Sequence, residues 1–230
     1  MGSSVGFCSI LFVILIGTPV GIKGALAAVS PLMPSIKTLN YDNTTFFITE
    51  APFIHVGNYE PLEIANNTAI MKFNNTIFAV WSKPLQQHNI NFIEGRFRVI
   101  GKTNPDSHAG IVWNDGHKVW YAFLRDRGLS VYNSVDNEFA GNPKVVVRNG
   151  VWDTLAIALL RNAIDVYVNN VLSLKIPYAN ASSYNISNVG IRNINAIVEF
   201  KPIMVGRVSP ASLEYGATHN MLPESYYKKS

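Results

Sequence analysis

Residues 150–170, GVWDTLAIALLRNAIDVYVNN, contain two short runs in which every second side chain is strongly apolar. In the first run, Leu155, Ile157 and Leu159 would point to one side of a strand and two alanines to the other, because successive strand side chains alternate between faces. The second run, Ile164–Val168, alternates in the same way. Neither run has the 3.6-residue period of a helix, so the stretch predicts two β-strands that share a buried face.

Asn169 and Asn170 separate the second run from another apolar segment, Val171–Ile176. Asparagine adopts positive φ more readily than most residues, and tight two-residue hairpins require positive φ. The pair therefore predicts a hairpin tip. Similar pairs predict reversals at three other points, namely Asn74-Asn75, Asp115-Gly116 and Arg127-Gly128.

Short apolar or alternating runs recur along the chain at intervals of about ten residues, the spacing of a sandwich or barrel. Since no helices are predicted to connect them, the strands should pair antiparallel. The fold class predicted is an all-β antiparallel sandwich over residues 40–208, followed by a C-terminal tail, 209–230. The predicted strands are Thr45–Thr49, Phe53–Val56, Ala69–Phe73, Ile77–Trp81, Phe92–Ile100, Gly110–Trp113, Val119–Leu124, Leu129–Tyr132, Lys144–Val147, Thr154–Leu160, Ile164–Val168, Val171–Ile176, Val189–Arg192, Ala196–Phe200 and Ile203–Val208.

The composition narrows the functional class. The 230 residues are 48% hydrophobic and 11% aromatic, which argues against intrinsic disorder. The net charge of +4 comes from scattered lysines and arginines with no basic block, so nucleic acid is not an expected partner.

The N-terminus predicts export. The apolar run Val5–Ile16 is followed by Ala25-Leu26-Ala27, an A-x-A pattern, so residues 1–27 are expected to be a signal peptide cleaved after Ala27. Residues 28–39 would then be a linker, and the mature protein secreted or at the cell surface. The alternative is an uncleaved anchor, because Val5–Ile22 nearly reaches the roughly 20 residues that a membrane span needs. Only in that case is a membrane an expected partner.

Five N-x-S/T sequons are candidate glycan acceptors in an exported chain. They begin at Asn43, Asn66, Asn74, Asn180 and Asn185.

Six sequence segments in the second half of the chain follow one another in an order that can be compared with known families. They are Ser107–Trp113, Val119–Asp126, Gly128–Tyr132, Gly150–Ile157 with its W-x-x-L-x-aliphatic pattern, Ile164–Asn170, and the closing runs Val189–Arg192 and Val198–Phe200. In this order, residues 94–205 resemble the laminin-G-like, concanavalin A-like family of jelly-roll sandwiches. The resemblance implies a lectin-like or glucanase-like protein. Glucanase relatives carry an E-x-D-x-x-E cluster of catalytic carboxylates, and this sequence has no such triplet, so no catalytic residues are predicted.

The candidate ligand-binding residues are aromatic and basic. Sugar rings pack on aromatic faces, and guanidinium groups bind carboxylate or sulfate in bidentate fashion. Phe97 is predicted to face the core, so the arginines on either side of it should face outward as a positive stripe beside aromatic side chains on neighbouring strands. The alternative is that both arginines pair with Glu94 and cross-strand carboxylates on a solvated face. Trp152 is predicted to fill the core. The predicted binding set is Arg96, Arg98, Trp113, Trp120 and Tyr121.

No metal site or cofactor is predicted. His108 and His117 flank one strand but lack a third ligand at suitable spacing. Three aspartates near strand ends are conceivable Ca²⁺ ligands, although turn formation is the favoured interpretation. These are Asp106, Asp115 and Asp126.

Three functions remain open from the sequence. The favoured one is an exported, non-catalytic carbohydrate-binding or adhesive module whose partner is a glycan or cell-surface polysaccharide. The second is a structural protein of a surface assembly that contacts envelope proteins. The third is a glycoside hydrolase on the same fold.

Overall fold

The computed structural model describes residues 35–39, 47–48, 63–66, 68–72, 77–82, 84–86, 89–133 and 139–209. All of them belong to one compact unit, residues 31–230. None of the described segments forms a helix with the length and apolar character needed to cross a membrane.

The described residues form sixteen strands and one short 3₁₀ turn, Ala181–Ser183. The strands are β1 (Ser35–Leu39), β2 (Phe47–Ile48), β3 (Glu63–Ala65), β4 (Thr68–Lys72), β5 (Ile77–Trp81), β6 (Phe92–Lys102), β7 (His108–Asn114), β8 (Val119–Arg125), β9 (Gly128–Asn133), β10 (Phe139–Asn142), β11 (Trp152–Leu160), β12 (Ala163–Val168), β13 (Val171–Pro177), β14 (Asn188–Ile194), β15 (Ala196–Phe200) and β16 (Ile203–Arg207).

The strands form two antiparallel sheets. The first sheet has the order β13-β12-β11-β6-β15-β4-β3, and β16 also pairs with β6 and with β1. The second sheet has the order β10-β9-β8-β7-β14-β5-β2. The eleven-residue strand β6 is central to the first sheet, because β11 lies along one of its edges while β15 and β16 share the other.

The core lies between the inner faces of the two sheets. Phe97 and Leu155 of the first sheet belong to the same buried cluster as Trp113 and Trp120 of the second. Leu155, Ile157 and Leu159 are all completely buried, as their alternation predicts. The sequence therefore predicted the all-β antiparallel sandwich and the inward side of β11 correctly.

The predicted turns agree with the backbone wherever it is described. Asn169 and Asn170 have φ values of 50° and 69° and connect β12 to β13. Gly128 has φ 122°, and a Cβ atom there would lie 2.5 Å from the carbonyl oxygen of Asn142, so glycine is required for two reasons. The predicted tip at Asn74-Asn75 lies outside the described residues.

Two predicted boundaries differ from the structure. Residues 144–147 are not a strand; β10 lies just before them, and Val147 is held in the core by its N–H bond to the Arg125 carbonyl. Ser35–Leu39, inside the predicted linker, forms β1 against β16, so strand structure begins before residue 40. The predicted strand at 53–56 lies outside the described residues, as do residues 1–34.

Candidate functional site

The outer face of the first sheet carries a charged cluster around Arg98. Register places Trp152 of β11 and Glu199 of β15 directly opposite Arg98, one on each side. Arg96, two residues earlier on β6, projects from the same face. We call the surface formed by Arg96, Arg98, Trp152, Glu199 and Lys201 the arginine face.

Two cations of the arginine face, Arg98 and Lys201, contact the Trp152 ring. The Arg98 guanidinium carbon lies 5.1 Å from the ring centroid and the Lys201 Nζ 5.2 Å from it, both within cation–π range. Lys201 Nζ also donates a hydrogen bond to Thr68 Oγ1 at 2.8 Å. Arg98 donates from both Nε and Nη2 to Glu199 Oε2, with the Nε bond at 2.7 Å.

The two arginines project outward as predicted, and both are partly neutralised. The Arg96 and Arg98 side chains are 41% and 35% exposed. Arg96 Nε lies 3.6 Å from Oε1 of the buried Glu94, and Arg98 is paired with Glu199. The positive stripe is therefore a row of ion pairs whose outermost guanidinium N–H groups face solvent.

The prediction that Trp152 fills the core is wrong, because the residue is half-buried on the arginine face. The alternation of inward and outward side chains along β11 was sufficient to predict the direction of Trp152. Leu155 points inward, so Asp153 must also point inward and Trp152 outward. Buried Asp153 confirms that parity; it is held by the Arg148 guanidinium and the Asn169 amide.

The outer face of the second sheet is aromatic and buried. Trp81, Val112, Tyr121 and Phe123 form one cluster there, which we call the aromatic face. The imidazole of His108 stacks on Phe123 with ring centroids 4.3 Å apart. On the same face, the Arg192 guanidinium carbon lies 4.1 Å from the centroid of Tyr121.

The three aromatic residues predicted to bind ligand are not on an open surface. Trp113 and Trp120 point into the core, where they form a cross-strand pair with ring centroids 6.1 Å apart. Tyr121 points outward but is only 1% exposed, beneath Arg192. Alternation separates the two faces of a strand, but it did not show that Trp113 and Trp120 take the inner face, nor that the outer face of Tyr121 is covered.

Burial changes the titration of two groups on the aromatic face. The pKa of His108 falls from 6.5 to about 4, chiefly because the imidazole is buried; the Asp106 carbonyl, 2.6 Å from Nδ1, opposes the shift, and the nearby Arg192 and Arg125 charges contribute to it. Burial also raises the pKa of Tyr121 above its ordinary value. Both side chains are therefore neutral at pH 7.

Solved structures share this two-sheet arrangement. Cellulose induced protein Cip1 aligns with a TM-score of 0.54 and 11% identity over 75% of this chain and 98% of its own. The carbohydrate recognition domain of Emp46p aligns with 0.53 and 11% over 72% and 88%, and the Crh5 transglycosylase with 0.52 and 8% over 78% and 87%. The chain has the concanavalin A-like jelly-roll fold. No protein-family model and no curated protein matches the sequence.

Within this concanavalin A-like fold, the aspartates considered for Ca²⁺ have other partners. Asp115 Oδ1 accepts the His117 and Lys118 N–H groups at 2.8 and 2.7 Å, and Oδ2 accepts Trp120 Nε1 and the Tyr178 hydroxyl at 2.9 Å each. Asp106 and Asp126 form ion pairs with neighbouring cations. The described residues contain no group of three or more side chains arranged to hold a metal ion.

The two carboxylates paired with Arg96 and Arg98 lie at different levels of β6. Glu199 is level with Arg98, whereas Glu94 lies four residues away along the strand, which is roughly 14 Å of backbone at about 3.4 Å per residue.

The sequons have different environments. Asn66 and Asn180 are exposed, whereas Asn185 is half-buried and its Oδ1 accepts the Ile90 N–H at 2.6 Å. Asn43 and Asn74 lie outside the described residues.

Proposed function

We propose that the protein is an exported, non-catalytic carbohydrate-binding module that binds acidic glycans at the arginine face. The observation that supports this most strongly is the convergence of Arg98 and Lys201 on the half-buried Trp152 ring. A glycan laid across β11, β6 and β15 would meet an aromatic side chain and several charged hydrogen-bonding groups at once.

Each part of the arginine face suits one part of an acidic sugar. The exposed N–H groups of Arg96 and Arg98 would bind carboxylate or sulfate. The side chain of Thr154, directly opposite Arg96, offers a hydrogen bond to a sugar hydroxyl. The exposed part of Trp152 would pack on sugar C–H groups. A shallow site of this kind is expected to bind in the micromolar-to-millimolar range, worth roughly 4–8 kcal/mol.

Proteins of the same fold support carbohydrate binding as the general activity. One of the aligned structures is a carbohydrate recognition domain, and another is a cellulose induced protein. A third is a transglycosylase, so the fold also occurs in enzymes. The sequence has no E-x-D-x-x-E cluster of catalytic carboxylates, which favours binding over catalysis for this chain.

Mutagenesis of the arginine face tests the proposal. The double variant Arg96→Ala/Arg98→Ala, and separately Trp152→Ala, should lose retention on an acidic-polysaccharide column while remaining folded, as measured by circular dichroism. The matched control is Arg127→Ala/Lys144→Ala, which removes two exposed positive charges from loops elsewhere. If the control loses as much retention as the double variant, binding depends on net charge alone and the proposed site is wrong.

Export is the second part of the proposal, and residues 1–27 support it. Expression of the full chain in a secreting host should yield a mature protein that begins at Ala28, as measured by mass spectrometry of the N-terminal peptide. A protein that retains Met1 or Gly2 and sediments with membranes would instead indicate an anchor.

A further inference from the structure

Glu199 holds the most direct anion-binding position of the arginine face. Nε and Nη2 of Arg98 both donate to one Glu199 oxygen, and this is the edge of the guanidinium that could instead bind an external carboxylate or sulfate through two oxygens. The two residues are cross-strand neighbours in register, so the contact is fixed by the sheet. An acidic ligand that uses these N–H groups must first displace Glu199.

Displacing Glu199 from Arg98 costs little free energy. The Glu199 and Arg98 side chains are 18% and 35% exposed, and ion pairs at such positions contribute only about 0–1 kcal/mol. Glu199 can rotate toward solvent, where water replaces Arg98 as its partner. An incoming anion at Arg98 would also lie beside Lys201, because both cations contact the same Trp152 ring.

We propose, on the basis of the proposed function, that Glu199 is an internal competitor that restricts the arginine face to glycans with several acidic groups. When a ligand carboxylate replaces the Glu199 carboxylate at Arg98, the net gain in binding free energy is small. A ligand gains only when further acidic groups reach Arg96 and Lys201 at the same time, since each additional contact is then intramolecular. Glycans with a single acidic group are therefore discriminated against, and polyanionic glycans are the preferred class.

Substitution of Glu199 tests the inference with an effect opposite in sign to that of the arginine variants. Glu199→Gln should lower the Kd for a monoacidic glycan by about threefold to fivefold, the equivalent of losing a competing surface ion pair. The matched control is Asp106→Asn, which removes the same charge from an exposed loop residue paired with Arg127. Glu199→Asp keeps the charge but shortens the side chain, so it should give a smaller increase in affinity.

Inorganic sulfate supplies a probe that does not depend on a particular glycan. The Arg98 Nε–H signal in NMR spectra should shift at lower sulfate concentration in Glu199→Gln than in the native protein. If neither protein binds polyanionic glycan, both proposals are wrong. If the native protein binds polyanionic glycan but Glu199→Gln gains no more affinity for the monoacidic glycan than Asp106→Asn, only the competitor role is overturned.

Discussion

The two sheets share one core but carry different outer faces. On the arginine face, charged side chains of the adjacent strands β6 and β15 form ion pairs near the solvent boundary. On the aromatic face, His108 and Arg192 stack on buried rings. Aromatic and cationic residues thus occur on both faces, and burial alone separates a surface that can meet a ligand from one that stabilises the fold.

The comparison also shows how a cation–π contact changes role with depth. Arg98 lies over Trp152 at the surface, where the guanidinium keeps hydrogen-bonding groups in water. Arg192 lies over Tyr121 at only 5% exposure, where the ring compensates part of the cost of removing a charge from solvent. The first arrangement is suited to exchange of partners, and the second to stability.

The two faces should differ most in the free energy of unfolding that is lost when one side chain is truncated to alanine. Phe123→Ala should lower the free energy of unfolding by about 3–5 kcal/mol, because it removes a buried ring stacked on both His108 and Tyr121. Arg98→Ala should lower it by about 1 kcal/mol or less. Urea unfolding measures both, and equal losses would show that the arginine face is also structural.

The pH dependence of stability should depend on the aromatic face. The pKa of His108 is about 4 in the folded protein and about 6.5 when unfolded, so the unfolded state binds more protons between these values. Stability should therefore be undiminished above about pH 6.5 and fall by about 3 kcal/mol as the pH drops to 4. His108→Gln should flatten this part of the profile, as measured by urea unfolding of both proteins between pH 4 and pH 7.

The smallest expected change in stability comes from removing a tyrosine hydroxyl, and two tyrosines can be compared. The buried Tyr121 hydroxyl has no hydrogen-bond partner among the described residues, so Tyr121→Phe should change stability by less than about 1 kcal/mol, toward greater stability. The Tyr178 hydroxyl donates to Asp115, so Tyr178→Phe should cost about 1.5–3 kcal/mol. Thermal denaturation of the two variants resolves the sign; a destabilised Tyr121→Phe would reveal a partner for that hydroxyl.

Local pattern was enough to predict most of the sandwich. Alternation placed Leu155 inward and Arg98 outward, and paired asparagines marked the β12–β13 turn. Residues 144–147 were mistaken for a strand because they contain three consecutive valines. Val147 is buried, but it lies in a loop, where its N–H group bonds to the Arg125 carbonyl. An apolar run by itself does not show whether a valine is buried in a strand or in a loop.

The candidate site was harder to predict because it depends on pairing between distant strands. Glu199 and Lys201 reach Arg98 only through the β6–β15 register, across about a hundred residues of sequence. Alternation along β11 was sufficient to predict that Trp152 points outward, but Trp152 was assigned to the core because most aromatic residues of β-sandwiches lie there. For Tyr121, only the folded structure shows that the residue points outward and that its face is covered.

The placement of the tryptophans makes the protein its own optical reporter. Trp113 and Trp120 are stacked in the dry interior, so their emission should be blue-shifted and their near-ultraviolet circular dichroism should disappear only when the core melts. Trp152 stands at the water boundary beside two cations, so its emission should be red-shifted and sensitive to anything that displaces them. One fluorescence spectrum should thus follow unfolding at its short-wavelength edge and occupancy of the surface at its long-wavelength edge, without an added label.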